Sequence, residues 1–91
     1  MAKVIITLKI MPDSPSANLK SIEKEAKIMI EEFGGNVGKV EIEPIAFGLK
    51  AINMIFISDE SNGGTEELES KVMEIDGVNS VEVSDVRRAI G

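Results

Sequence analysis

The chain predicts an α+β sandwich with the element order β-α-β-β-α-β. Three observations carry that reading. Apolar residues alternate at period two in four segments, and they recur at spacings of three and four in two others. The segments also follow one another in the order of two βαβ halves. Both halves fit a single domain over residues 1–91, with no linker and no low-complexity tract.

The elements follow in order. Residues 3–11, KVIITLKIM, are rich in β-branched side chains, with Val4, Ile6, Leu8 and Ile10 on one face and Ile5, Thr7, Lys9 and Met11 on the other. Pro12-Asp13-Ser14-Pro15 ends this first strand, because proline cannot donate into a ladder. A helix is expected over roughly 17–33, capped by Ser16 or a near neighbour. Its stripe is Leu19, Ile22, Ala26, Met29 and Phe33, and Gly34-Gly35 closes it. Residues 37–43 alternate Val40 and Ile42 with charged residues, which reads as an edge strand ended by Pro44. Residues 49–57, LKAINMIFI, are apolar on nearly both faces, which reads as a central strand.

A polar loop, residues 58–64, leads to a second helix that starts near Thr65 with acids in its first turn. Leu68, Val72 and Ile75 form its buried stripe, and Gly77 stops it. Val78 to Val86 is the last strand, with Val81 and Val83 inward. The expected fold is a ferredoxin-like sandwich, a four-stranded antiparallel sheet with two helices on one face. Strands 1 and 3 are central and strands 2 and 4 lie at the edges.

Composition narrows the function. With no cysteine and no histidine, the chain has no disulfide, thiol, imidazole or Cys/His metal chemistry. No serine stands beside a base, so catalysis is not expected and no catalytic residue is assigned. Asp59-Glu60 and the glycine pairs Gly34-Gly35 and Gly63-Gly64 read as turn residues, not as metal or phosphate sites. No cofactor and no metal are expected. The net charge of −6 repels phosphate backbones, and the aromatic residues are only Phe33, Phe47 and Phe56, so direct nucleic-acid binding is disfavoured. The apolar runs are far shorter than the ~20 residues of a membrane span, and the start of the chain does not read as a signal peptide. The expectation is a cytoplasmic monomer that meets a protein partner.

Two features stand out. The segment Glu43-Pro44-Ile45-Ala46-Phe47-Gly48-Leu49 places Ile45 and Phe47 where a hairpin tip should be polar. Phe47 either folds back onto the core or projects as an anchor for a partner's pocket. Arg87-Arg88 is the only adjacent basic pair. It reads either as a solvated, frayed tail or as a cationic reach toward an acidic or phosphate-bearing site. With strands 1 and 3 taken as parallel, and 2 and 4 likewise, Phe47 and the arginine pair are expected at one end of the sheet. Ile5, Met11, Ile52, Met54 and Phe56 are expected to form an apolar second face of the central strands.

The same residues resemble a known family. The string Glu43-Pro44-Ile45-Ala46-Phe47-Gly48-Leu49 is similar to the E-P-I-A-F-G-L motif of archaeal elongation factor 1-beta proteins. Met11-Pro12, Gly63-Gly64-Thr65-Glu66 and Val83-Ser84-Asp85-Val86-Arg87-Arg88 also resemble that family. The resemblance covers essentially the whole chain. It implies a guanine-nucleotide exchange factor that engages elongation factor 1-alpha in its GDP-bound and nucleotide-free states. The partner-binding residues it implies are Pro44, Ile45, Ala46, Phe47, Gly48, Arg87 and Arg88. Eukaryotic relatives insert an aromatic from a similar tip into the partner, which corresponds to Phe47. They also use a lysine near the C-terminus to displace magnesium. This chain has no lysine after Lys71, so Arg87 or Arg88 would have to substitute.

Two other functions fit the fold class. A small-molecule regulatory domain would show a ligand-induced rise in melting temperature. An RNA-binding module would need exposed aromatics on strands 1 and 3, where only Phe56 is available.

Overall fold

The computed structural model describes residues 2–89. Strand β1 spans Lys3–Pro12, helix α1 Leu19–Phe33, strand β2 Asn36–Pro44, strand β3 Lys50–Asp59, helix α2 Glu66–Met73 and strand β4 Val78–Ala89. Short 3-10 turns occupy Ala46–Gly48 and Glu60–Asn62. The sheet order is β2-β3-β1-β4, with antiparallel neighbours throughout. The order and the central places of β1 and β3 are those the sequence predicts.

Alternation in β1 sends Ile6, Leu8 and Ile10 to the helix side, where β3 adds Ile52, Met54 and Phe56. Helix α1 contributes Ile22, Ala26 and Ile30, while α2 and its following turn contribute Leu68, Val72 and Ile75. The buried line of α1 therefore runs Ile22–Ala26–Ile30, and Ile30 is a core position that the sequence stripe leaves out. Leu19, Met29 and Phe33 flank that line, only partly buried. The Phe33 and Phe56 rings meet edge to face, with centroids 6.5 Å apart. Asn18, not Ser16, caps α1, its Oδ1 accepting from the Ser21 N–H at 3.1 Å. At the other end, the Gly34 N–H bonds the Glu31 carbonyl and the Gly35 N–H bonds the Ile30 carbonyl, a Schellman closure. Gly35 is required there, because a Cβ would lie 2.7 Å from the Phe56 ring and 2.8 Å from Ile30.

Two strand expectations need correction. Ile52, Met54 and Phe56 are not part of a second apolar face. Each is fully buried beneath the helices. The open face of β3 instead carries Ala51, Asn53, Ile55 and Ile57, beside Ile5, Thr7, Lys9 and Met11 of β1. With Phe56 in the core, the sheet has no aromatic platform for stacking a base. The second correction concerns β4, which continues to Ala89. Arg87 pairs with Ile5 and Arg88 with Val4, so the arginines belong to the ladder and are not a frayed tail. Ile90 and Gly91, the last residues of that tail, lie outside the described residues.

Candidate partner-binding site

The β2–β3 connection is built by Pro44, Ile45, Ala46, Phe47, Gly48 and Leu49. Pro44 pairs with Lys50 as the last rung of the hairpin. Above it the Ile45 N–H donates to the Leu49 carbonyl at 2.7 Å, and the Leu49 N–H donates to the Ala46 carbonyl at 3.3 Å. The backbone between these bonds must reverse within three residues. It does so through left-handed conformations at Phe47, φ 63° and ψ 29°, and at Gly48, φ 76°. Glycine adopts that region freely. For phenylalanine it is strained, and Phe47 is the one non-glycine residue with positive φ among the described residues.

The Phe47 side chain gains nothing from the core in return. It is 94% exposed, the most exposed large apolar side chain among the described residues. The fold-back alternative for Phe47 is therefore excluded, and the ring projects into solvent. Ile45 is half-buried, while Pro44, Ala46 and Gly48 are exposed. A Cβ on Gly48 would come within 3.7 Å of Pro15, so the β1–α1 loop stands beside the tip. Sequence reasoning took Pro15 only as a strand breaker. Nothing in local periodicity marks it as a neighbour of the tip.

The arginine pair lies elsewhere. β1 runs antiparallel to both β3 and β4, so β4 ends where β1 begins. The hairpin tip lies at the opposite end, beyond the last rungs of β2 and the first of β3. From Val4, opposite Arg88, to Ile10 is six register steps, and from Ile52 to Lys50 two more. At about 3.3 Å a step that is roughly 26 Å, before the tip itself is added. The expectation that Phe47 and Arg87-Arg88 share one end is thus wrong. It took strands 1 and 3 as parallel, whereas the ladder pairs them antiparallel.

Local chemistry holds the arginine end. Arg88 Nη2 reaches Glu60 Oε1 at 2.6 Å, and Arg87 Nε reaches Asp85 Oδ2 at 2.8 Å. Glu60 follows Asp59, whose Oδ1 accepts from the Ser61 N–H at 2.9 Å and the Ser61 hydroxyl at 2.8 Å. The backbone bond from Ser61, then its hydroxyl, and the nearby Lys3 hold the Asp59 carboxyl below its ordinary pKa. Asp59 and Glu60 thus serve a turn and an ion pair. Glu60 is a partner of Arg88 that local sequence offers no reason to choose, since they stand 28 positions apart. Among the described residues no group of three or more acids is placed to hold a cation.

The fold defines the class, a small ferredoxin-like α+β sandwich with an exposed aromatic on a hairpin tip. Solved structures with this architecture include the ACT domain from GTP pyrophosphokinase of Chlorobium tepidum. It aligns with a TM-score of 0.60 at 16% identity, over 89% of this chain and 97% of that one. The C-terminal domain of the MgtC protein from Mycobacterium tuberculosis aligns at TM-score 0.64 and 8% identity, over 97% and 88%. At such identities the likeness concerns the fold alone.

Sequence similarity is more specific. Residues 5–89 match the EF-1 guanine nucleotide exchange domain. Elongation factor 1-beta of Methanothermobacter thermautotrophicus is 43% identical over 97% of this chain and 98% of its own. That of Staphylothermus marinus is 43% identical over the same shares, and that of Methanocaldococcus jannaschii 39% over 98% and 100%. The chain belongs to the elongation factor 1-beta family of translation factors, with the family's nucleotide exchange domain spanning nearly all of it.

Proposed function

We propose that this chain accelerates GDP release from elongation factor 1-alpha, allowing GTP to reload, with Phe47 as the anchor that seats on the partner. The observation that supports this is the Phe47 side chain, 94% exposed on a left-handed backbone. Strain and exposure together serve no purpose in the free molecule. A hydrophobic pocket on a partner would bury the ring and offset the backbone cost. Pro44, Ile45, Ala46 and Gly48 frame the anchor, and the backbone bonds from Ile45 to Leu49 and from Leu49 to Ala46 hold the shape of the tip.

Exchange needs no covalent step. A protein that binds the nucleotide-free partner more tightly than the GDP-bound partner weakens GDP binding by the same factor. A thousandfold effect corresponds to about 4 kcal/mol of differential contact. Arg87 and Arg88 are candidates to act near the phosphates or their magnesium, in place of the lysine of eukaryotic relatives. Their separation from Phe47 requires the partner to present two surfaces, one for each end of the sheet. The protein acts in this reading as a cytoplasmic monomer. No helix among the described residues is long and apolar enough to cross a membrane.

The test is release of a fluorescent GDP analogue from elongation factor 1-alpha of the same organism. Release should accelerate with added protein, and Phe47→Ala should reduce the effect at least tenfold while the fold stays intact. No acceleration by the folded protein over a wide concentration range would overturn exchange and favour the ligand-binding regulatory domain. Acceleration that Phe47→Ala leaves untouched would remove the anchor alone.

A further inference from the structure

Asn62-Gly63 is the one Asn-Gly step in the chain, since Asn18, Asn36, Asn53 and Asn79 are followed by Leu19, Val37, Met54 and Ser80. Asparagine is thermolabile, and most so before glycine, where no side chain shields the backbone nitrogen that attacks the carboxamide. The fold requires both residues. Gly63 has φ 82° and ψ −160°, a region open essentially to glycine alone. The Asn62 carboxamide donates from Nδ2 to Ser58 Oγ at 3.0 Å, and Ser58 is 2% exposed. It also lies against the end of α1, where a Cβ on Gly34 would come 2.6 Å from Nδ2.

The chemistry balances with water alone. The Gly63 backbone nitrogen loses its proton and attacks Asn62 Cγ. The N–Cγ bond forms as Cγ–Nδ2 breaks, and Nδ2 leaves with the proton as ammonia. Water then opens the cyclic imide at either carbonyl, leaving aspartate or isoaspartate at position 62. The folded turn opposes the attack at both atoms. The Gly63 N–H donates to the Glu60 carbonyl at 3.3 Å, and the carboxamide is held by Ser58. Glu60 is itself tied down, by its N–H to the Ala2 carbonyl at 2.9 Å and by its carboxylate to Arg88. Attack therefore waits for the turn to open.

We propose that Asn62 is a site of spontaneous deamidation, and that opening of the turn over residues 60–63 sets its rate. Conversion works against the turn that protects it. A carboxylate cannot donate to Ser58 Oγ, whose own proton already goes to the Asp59 carbonyl at 3.4 Å. It also places a negative charge beside the end of α1, where the helix dipole disfavours one. Each converted chain holds this turn more weakly, and the change runs one way.

The test incubates the full chain in mildly alkaline buffer, folded in sodium chloride and unfolded in guanidinium chloride of the same ionic strength. Aspartate and isoaspartate are then located by mass spectrometry of its peptides. In the unfolded chain Asn62 should convert at least tenfold faster than Asn18, Asn36, Asn53 or Asn79. In the folded chain Asn62 should convert at least tenfold more slowly than in the unfolded one. Ser58→Ala, shown to be folded by circular dichroism, should raise the folded-state rate at least threefold. The converted chain should melt below the fresh chain, and Asn62→Asp should reproduce that fall. Equal rates at Asn62 in the folded and unfolded chains would overturn control by the turn. Conversion in the unfolded chain no faster at Asn62 than at the other asparagines would overturn the site itself. An unchanged melting temperature in both the converted chain and Asn62→Asp would overturn the weakening of the turn.

Discussion

The two ends of this sheet present their candidate binding side chains in opposite ways. At the hairpin tip, Phe47 makes no side-chain hydrogen bond or core contact and holds a strained backbone. At the far end Arg87 and Arg88 sit in regular ladder positions, and each guanidinium is already paired with an acid. The tip is ready for a partner at once, because nothing must be broken to bury the ring. The arginines must first exchange Asp85 and Glu60 for whatever they meet. Surface pairs of this kind cost little to break, so the acids orient the arginines more than they lock them.

That contrast can be broken by substitution. The largest effect belongs to Phe47→Leu compared with Phe47→Ala in the GDP-release assay. Leucine should recover part of the tenfold loss if burial of apolar surface carries the contact. Equal loss in both would mean that the aromatic ring itself is recognised. Next comes Arg88→Ala, expected to slow exchange several-fold while shifting unfolding free energy by no more than about 0.5–1 kcal/mol. Glu60→Gln should keep the fold and change the salt dependence of exchange. If Arg88→Ala and Arg87→Ala both exchange normally, the far end has no part in the reaction.

A smaller effect separates strain from function at the tip. Phe47→Gly removes the left-handed penalty but loosens the unfolded chain, so stability should rise by up to about 1 kcal/mol. Exchange should fall as far as it does in Phe47→Ala. A variant both more stable and less active would show that the strain is kept for binding. A stability loss above 1 kcal/mol by chemical denaturation would show instead that Phe47 supports the fold.

The smallest prediction concerns Asp59 at the arginine end. Its folded-state pKa lies below the ordinary 3.8, mainly because of the Ser61 backbone N–H. The Asp59 contribution is therefore present above pH 3.8 and lost as pH falls through that value toward the lowered one. An NMR titration of the Asp59 carboxyl should give a midpoint below 3.8, and Ser61→Ala should move it part of the way back. A midpoint at or above 3.8 would mean that the turn holding Glu60 is not formed in solution.

Local sequence determined the elements because their causes are local. Period-two alternation set β1, proline stopped it, and the Gly34-Gly35 pair closed α1 through bonds made within one turn. The odd apolar string around Phe47 was visible too, because a hairpin tip has no reason to carry it. Its outward direction was not visible. A left-handed phenylalanine depends on the two bonds that close the tip and on the ladder that brings Pro44 opposite Lys50.

Tertiary structure alone decided where the arginines lie. Strand direction is a property of pairing between segments far apart in sequence, and antiparallel pairing of β1 with β3 and β4 sends Arg88 to the end opposite Phe47. A bulge also decides their faces. Val81 and Val83 face the helices, which by alternation would turn Arg87 inward and Arg88 outward. The register shift between Thr7 and Leu8 leaves Ser84 as an extra residue, so Arg88 lies on the helix side opposite Val4 and Arg87 on the open face opposite Ile5. A sequence read one strand at a time carries the alternation but not the partner strand that interrupts it.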